Sequence, residues 1–593
     1  MDDRRRPLRL ACAYALVALL APVAHAAPPP PARPEPAPEA PAPTLAAVRA
    51  ALDGWQLTSA DALLARLKPA KAEATEAATL RAALELARSD HQAVIKRLTP
   101  IVRADPVAYE ARVVLGRALY AVGRDVDALA VLDVMADDYN EDRVTSARDL
   151  GFLGVGLHLT GYFKNANRVF QEAIDKDPDD IAARIAWAEL FLSKYNYRDA
   201  DQLYREVLAK RPGDLRAKLG AARVAIASDS AYAEATKLLD EVIAAAPECA
   251  PAHTLLALID LQNERPLEAI ERLERQSLVI APRDGEALAL VAAAHYLLDD
   301  ARAFAAAEKR ALAVNPKHAG LYVTVAQHAE RVHRYVEAQR LLDKALALDP
   351  ESSDALSALG IAWSRLGNDQ KASETLQQAH DADPYHVPTY NLLSSFYDRI
   401  DKDFVWLEAP PMRVRVDKRE APVLERFVPR LLDEAWRHFA KKYAFKPKLP
   451  VHVEIFPDVE TFAVRSVGLP GLAAHGICFG HVVTARSPSA GDFNWAEVLW
   501  HELAHVYHLQ LSGSRVPRWF TEGFAVYESL EGRTSWAREM DPELWRARKA
   551  GKLRGFGDFN LAFTQARTLD DILVAYYHAT QVARFLDVTW GFP

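Results

Sequence analysis

Prolines recur at an almost constant interval through the middle of this chain of 593 residues. They stand at Pro178, Pro212, Pro247, Pro282, Pro316, Pro350 and Pro384, at intervals of 34 or 35 residues. Because proline cannot continue a helix, each one predicts the end of a helix. Apolar residues between the prolines follow helical spacing. The sequence therefore predicts an array of helical units that stack along the chain into a solenoid.

A helical period of 34 residues resembles the tetratricopeptide family. Two units share its pattern of small, large and proline residues: Leu153, Gly154, Ala166, Phe170, Ala173 and Pro178, and Leu359, Gly360, Trp363, Ala372, Leu376, Ala379 and Pro384. Small residues let paired helices approach, and large ones fill the layer between repeats. We expect eight to ten repeats over residues 44–400, with the first ones degenerate. The resemblance implies a curved surface that binds a protein partner, although the array could also be only a spacer.

A second pattern lies near the C-terminus, where His501, Glu502 and His505 form an HExxH motif that Glu522 follows. Helical residues four apart lie on nearly the same face, so both histidines can reach one ion. Zinc prefers nitrogen and carboxylate ligands and keeps one position for water in catalytic sites. Pro517 fits the first turn of a second helix that carries Glu522. HExxH also occurs by chance, and the alternative is an amphipathic helix with surface histidines.

The sequence around this motif resembles the gluzincin zinc metallopeptidases. HELAH followed by WFTEGFAVY is almost the zinc signature of the aminopeptidase-like branch, and the segments 468–471 and 475–480 look like bacterial peptidase MA-like domains. The resemblance covers roughly residues 410–593. It implies that His501, His505 and Glu522 hold Zn²⁺ and that Glu502 is the general base.

The resemblance also implies a residue that donates a hydrogen bond to the oxyanion, and the sequence departs from the family at two points. A tyrosine that opens a later helix plays this part in aminopeptidases, and Tyr576 has a similar spacing here, with Tyr577 as the alternative; both could be core residues. The Gly-x-Met-Glu-Asn motif that holds a substrate's amino group is missing before His501, which favours an endopeptidase. The helical lobe that usually follows is also missing before Pro593, so either the chain is truncated or the array supplies that wall of the cleft.

Other residues near the motif are weaker candidates. His508 lies on the same helix face as the two histidines, and we expect it at the rim of the site. Glu528 and His475 are candidates for the outer partners that metal-bound histidines need.

Alternating and helical patterns before the motif predict a small mixed sheet. The predicted segments are strand 412–416, helix 422–442 and strands 449–456 and 475–485. We therefore predict a mainly α fold, an α-solenoid of tetratricopeptide repeats followed by an α+β zincin-type domain. By resemblance, the edge of the last strand would bind an extended peptide, lined by Cys478, Phe479 and Gly480.

The N-terminus predicts export. Arginines at residues 4–9, an apolar segment at 10–23 and a small-residue site at 24–26 indicate a signal peptide over residues 1–26, with a retained anchor as the alternative. Residues 27–43 form a proline-rich linker. We expect a periplasmic, envelope or extracellular protein without a transmembrane span in the mature chain. The net charge of -8 indicates no nucleic-acid partner.

These patterns together predict an exported zinc-dependent endopeptidase whose array binds protein partners or substrates. One alternative is an inactive cell-envelope scaffold that acts through its repeats. Another is a zinc hydrolase that acts on a non-protein amide or on cell-wall peptides.

Overall fold

The computed structural model describes residues 43–228, 232–566 and 568–591. The expected signal peptide and all but the last residue of the linker lie outside these ranges. Within them, ten pairs of consecutive helices lie between Leu45 and Ala382, in agreement with the expected eight to ten repeats. None of the described helices has both the length and the apolar character needed to cross a membrane.

The paired helices follow one another with short turns, and a helix at Val387–Ser395 closes the array. In order, the pairs are Leu45–Asp53 with Leu57–Arg66, Ala74–Ala87 with His91–Ala104, Tyr109–Ala121 with Asp125–Asn140, Ala147–Leu159 with Phe163–Lys176, Ile181–Ser193 with Tyr197–Lys210, Leu215–Ala227 with Tyr232–Ala245, Ala250–Gln262 with Pro266–Arg272 and its continuation to Ile280, Gly285–Leu297 with Ala301–Val314, Ala319–Arg331 with Tyr335–Leu348, and Ser353–Arg365 with Asp369–Ala382.

The recurring prolines mark the boundary between one repeat and the next. Pro178 follows the helix that ends at Lys176, and Asp180 caps the next helix by accepting a hydrogen bond from the amide of Ala183 at 2.9 Å. The same order recurs at Pro282, where Asp284 is the cap. In these two repeats, a helix stop followed two residues later by a capping carboxylate sets the end of one helix and the start of the next.

Distant repeats of the array contact one another. Thr58 donates its amide to Glu248 Oε2 at 2.9 Å, and Lys194 Nζ lies 2.7 Å from Asp383 Oδ2. These partners are 190 and 189 residues apart. Because the separation is nearly constant, the array winds as a superhelix, and residues one superhelical turn apart contact each other.

A five-stranded sheet with helices around it follows the array. Its strands are β1 (Phe404–Ala409), β2 (Met412–Asp417), β3 (His452–Phe456), β4 (Gly476–Cys478) and β5 (Val482–Arg486), and its helices span Ala421–Leu424, Val428–Lys442, Val459–Val467, Trp495–Ser512, Arg518–Gly532, Asp541–Lys549, Leu561–Thr564 and Leu569–Trp590. The strand order is β1-β2-β3-β5-β4, with parallel pairing from β2 through β3 to β5 and an antiparallel strand at each edge. The sheet shares a core with the helices Val428–Lys442 and Trp495–Ser512.

The domain that contains the sheet differs from the expected one in three places. β1 lies between the expected array and the expected domain, where no strand was predicted. The expected strand 475–485 is a hairpin, because Gly480 adopts a positive φ of 85° and reverses the chain between β4 and β5. The helix Val459–Val467 was missed, although Asp458 caps it by accepting from the amide of Thr461 at 2.7 Å.

The array and the sheet domain pack together into one compact unit over residues 43–593. Ser514 Oγ donates to the carbonyl of His333 at 3.0 Å, and Arg515 Nη2 donates to Asp299 Oδ1 at 2.9 Å. Arg415 on β2 pairs with Asp369 of the last repeat pair. These contacts bring the array to the side of the domain that carries the HExxH motif.

Candidate metal centre

The helix Trp495–Ser512 carries the HExxH motif through the centre of the domain. Asn494 caps its first turn by accepting from the amide of Glu497 at 3.2 Å, and Gly513 ends it with a φ of 59°. The next helix, Arg518–Gly532, carries Glu522 back across the first. Pro517 is the N-cap of this second helix and not, as expected, a residue of its first turn.

Three side chains converge between these helices. His501 Nε2 lies 3.0 Å from His505 Nε2, and Glu522 Oε2 lies 3.4 Å from each of them. A tetrahedral zinc ion with bonds of about 2.0–2.1 Å requires ligand atoms about 3.3 Å apart. The separations and the two-nitrogen, one-carboxylate donor set therefore fit zinc. Burial alone would lower the pKa of His501. Its hydrogen bond to Glu522 and the negative charge of Glu502 outweigh burial, so the pKa of His501 is raised.

A buried chain of hydrogen bonds leads away from His505. Its Nδ1 lies 2.7 Å from Thr521 Oγ1, which lies 3.2 Å from His508 Nδ1. His508 Nε2 lies 2.8 Å from the hydroxyl of Tyr443, which donates to Glu528 Oε1 at 2.7 Å. Glu528 is fully buried. We call these five residues the His505 relay.

The relay assigns every proton along its length. Because Tyr443 donates to Glu528, it accepts from His508 Nε2, which leaves His508 Nδ1 as an acceptor. Thr521 then donates to His508 and accepts from the N–H at His505 Nδ1. That tautomer leaves the lone pair of His505 Nε2 free to bind a metal ion, which is how outer partners orient metal-bound histidines.

Glu502 lies beside this ligand set and is 7% exposed. Burial raises the pKa of its carboxyl, although the nearby His501 and His505 lower it. A Cβ on Gly476 of β4 would lie 2.7 Å from Glu502 Cγ. Only glycine leaves room for the carboxyl at this point.

A cavity of about 510 Å³ contains the ligand set, Glu502 and Tyr576. Arg518 lines the same cavity, and its Nε lies 3.5 Å from Glu522 Oε1. Tyr577 donates to Asp541 Oδ1 at 2.6 Å and does not line this cavity. Of the two candidate tyrosines, Tyr576 is therefore the one placed beside the ligand set.

The array supplies part of the lining of this cavity. His333 lies in the turn between the helices Ala319–Arg331 and Tyr335–Leu348, with a positive φ of 61°. Burial and the positive charges of His505 and Arg518 lower the pKa of His333 to about 4. Sequence reasoning missed His333, because nothing in the local pattern of a repeat indicates a contact with a distant domain.

Three expected placements were wrong. His508 is 7% exposed inside the His505 relay and is not a rim residue. His475 stacks on Phe493 at 4.5 Å between ring centroids and is no outer partner of the ligand set. Cys478 and Phe479 line the cavity as expected, but Gly480 lies in the hairpin turn beyond it. Thr521, the direct partner of His505, was missed, although it immediately precedes Glu522.

Comparison with known families finds the repeats. A family model described as tetratricopeptide repeat matches residues 191–259 and 331–394, and one described as bacterial transcriptional activator domain matches residues 31–151. The chain contains tetratricopeptide repeats. Such repeats indicate a protein-interaction role, and neither matched model includes the segment that carries the metal centre. No curated protein matches the chain.

The solved structures that resemble this chain share little sequence identity with it. The hetero-tetramer Cut9-Hcn1 of the APC/C is 15% identical, with 59% of this chain and 68% of that chain covered and a TM-score of 0.39. A tetratricopeptide repeat protein from Parabacteroides merdae is 16% identical over 43% and 98%, with a TM-score of 0.32. YrrB, described as a TPR protein with an unusual peptide-binding site, is 20% identical over 38% and 97%, with a TM-score of 0.18. At these TM-scores the likenesses carry no argument about function.

Proposed function

We propose that this chain is an exported zinc-dependent metallopeptidase with a zincin-type domain, in which the repeat array binds protein partners or substrates. The observation that carries the proposal is the convergence of His501, His505 and Glu522 on one point, beside a buried glutamate in a cavity. Structural zinc sites use four protein ligands, whereas a set of three leaves a position for water or substrate.

Zinc bound by these ligands would polarise the scissile carbonyl and lower the pKa of a water molecule. Glu502 is placed to accept a proton from that water and pass it to the leaving amine. Its burial, which raises its pKa, suits a group that must both take and return a proton. Tyr576 is placed to donate to the developing oxyanion. Arg518 lies in the same cavity lining and would place a positive charge near the oxyanion.

The free edge of β4 provides the peptide-binding surface. β4 pairs with β5 on one side only, and its residues Gly476 and Cys478 line the cavity beside Glu502. An extended substrate that pairs with this edge adds one strand to the sheet and brings its carbonyl groups to the ligand set. The proposal that the protein is exported depends on the sequence of residues 1–26, and cell fractionation of the full chain tests it.

The test combines metal analysis with two variants. Purified protein should contain one equivalent of zinc by elemental analysis and cleave peptides from a library. Glu502→Gln should retain zinc and lose at least about a hundredfold in kcat, because the general base is gone. Glu522→Ala should lose zinc. Absence of zinc from protein purified with zinc in every buffer would refute the metallopeptidase proposal.

A second candidate is a cell-envelope scaffold whose domain is catalytically inactive and whose repeats carry the function. The matches of the tetratricopeptide model favour this candidate, because they concern the repeats alone. Protein that binds zinc but cleaves no member of the library, with Glu502→Gln indistinguishable from wild type, would favour the scaffold.

A further inference from the structure

The array reaches the metal cavity through four successive repeat pairs. The cavity is lined by Glu264, Leu297, Arg331 and Arg365, and each lies at or just beyond the C-terminal end of the first helix of its pair. Glu264 Oε2 accepts from Asn560 Nδ2 of the sheet domain at 2.6 Å, which joins the two parts at the cavity. The array is therefore one wall of the site and not a separate module.

This wall lies at one end of the peptide-binding edge. β4 is three residues long, and Phe479 follows it directly. The ring of Phe479 packs against Tyr335 at 5.9 Å between centroids and against the guanidinium of Arg365 at 5.3 Å, and both residues belong to the array. Three strand residues span about 10 Å. A peptide that pairs along β4 thus has room for about three residues before the array blocks its path.

The volume of the cavity agrees with this length. About 510 Å³ lies within the range of about 300–1,000 Å³ that encloses a ligand of drug size. A few residues of extended peptide fit such a space, whereas a folded segment does not.

Two array side chains at the cavity keep unused hydrogen-bonding atoms. His328 and Glu330 line the cavity and are 5% and 8% exposed. In the described part of the chain, His328 Nδ1 and Glu330 Oε1 have no hydrogen-bond partner, while Glu330 Oε2 accepts from Arg365 at 2.6 Å. The ion pair with Arg365 holds Glu330 in the wall of the cavity.

We propose that the repeat array closes one end of the substrate cleft, so that the protein acts on short peptides whose one end lies against the array. The interior of a long polypeptide is then excluded, because its chain cannot pass through the array. This inference rests on the proposed peptidase function and names its substrate class. It gives the repeats a part in the active site itself.

Peptides of one scissile sequence, extended by unstructured residues at the amino end, at the carboxyl end or at both, test the proposal. The zinc-loaded protein should cleave the short peptide and one of the singly extended peptides. The other singly extended peptide and the doubly extended one should lose about a hundredfold in kcat/KM, because the scissile bond is misplaced. Binding to zinc-loaded Glu502→Gln, measured by fluorescence anisotropy, should show the same order.

A substitution on the array tests whether its wall contacts the substrate. Gln327 lines the cavity from the helix Ala319–Arg331 and is exposed, so Gln327→Trp narrows the space without disturbing the core. We expect the short peptide to bind at least about tenfold more weakly, equivalent to about 1.4 kcal/mol. Gln378→Trp, on an exposed face of the helix Asp369–Ala382 outside the cavity lining, is the matched control and should bind as wild type does.

The outcomes separate the two proposals. Equal cleavage of the doubly extended peptide and the short one overturns the closed cleft and leaves the peptidase intact. Unchanged binding by Gln327→Trp likewise removes the array from the substrate site. Protein that holds no zinc, or that holds zinc but neither binds nor cleaves any peptide of the set, refutes the peptidase and the closed cleft together.

Discussion

Thr521 is the residue that joins the ligand set to the interior of the domain. Its hydroxyl both accepts from His505 and donates to His508, so it fixes the tautomer of a proposed zinc ligand. Thr521→Val keeps the shape and removes both hydrogen bonds. We expect zinc affinity to fall by about 10- to 100-fold, as for other outer partners. A competition titration with a zinc chelator measures it.

Thr521→Ser is the control for this prediction, because serine retains the hydroxyl. It should bind zinc nearly as tightly as wild type does. Thermal denaturation of both variants shows whether lost stability, about 1–3 kcal/mol for unsatisfied buried groups, contributes to the effect. Wild-type affinity in a folded Thr521→Val would mean that the relay does not orient His505.

Gly476 controls the position of Glu502, the proposed general base. An added Cβ would lie 2.7 Å from Glu502 Cγ and 2.8 Å from Val498 Cγ1, so Gly476→Ala must displace the glutamate. We expect kcat to fall about a hundredfold with the zinc content unchanged. Gly555→Ala, where nothing lies within 4 Å of the added carbon, is the control. If both variants keep wild-type kcat, Glu502 is not the base.

At the scale of the elements, neighbouring helices of the array depend on small residues where they cross. A Cβ on Gly220 would lie 2.2 Å from Tyr204 Cε1, and Tyr204 is 1% exposed. Gly220→Ala gains about 1 kcal/mol of helix propensity. Overpacking against a side chain that cannot move costs about 1–3 kcal/mol, so we expect a net loss of stability.

Urea denaturation measures this loss, and Gly213→Ala is the control, because an added Cβ there meets nothing within 4 Å. Gly213→Ala should stay within about 0.5 kcal/mol of wild type. If Gly220→Ala is as stable as Gly213→Ala, the helices that carry Tyr204 and Gly220 can move apart at no cost.

The elements that the sequence predicts well are those set by local chemistry. The ends of the array helices follow from the recurring prolines, and the repeat pattern contains the small and large residues, such as Gly154 and Phe170, that meet where helices pack. His501 and His505 follow from helical spacing alone. Phe479 and Tyr335 meet across a long stretch of chain, and no local pattern indicates such a contact. The sequence named the array as one alternative for the missing wall of the cleft, but the residues that form this wall could not be predicted from it.

At the scale of the whole molecule, the placement of the array on the domain decides the shape of the cavity. Arg515 lies at this junction, where it donates to Asp299 and lies 3.3 Å from Glu337 Oε1. Its hydrogen bonds lower the pKa of Asp299 below the usual 3.8. The pair is nearly half exposed, so it contributes only about 0.2–1 kcal/mol and less in high salt.

Arg515→Ala should therefore lower the melting temperature slightly at neutral pH and low salt. Because the folded pKa of Asp299 is lowered, the ion pair contributes fully above pH 3.8 and loses its contribution as the pH falls through the folded value. The difference in melting temperature between Arg515→Ala and wild type should thus be largest near neutrality and shrink below about pH 3.8. Arg546→Ala is the matched control, because Arg546 pairs with Glu543 within one helix and joins no two parts of the molecule. If Arg515→Ala changes the melting temperature by the same amount near neutrality and below about pH 3.8, Asp299 does not hold the domain on the array.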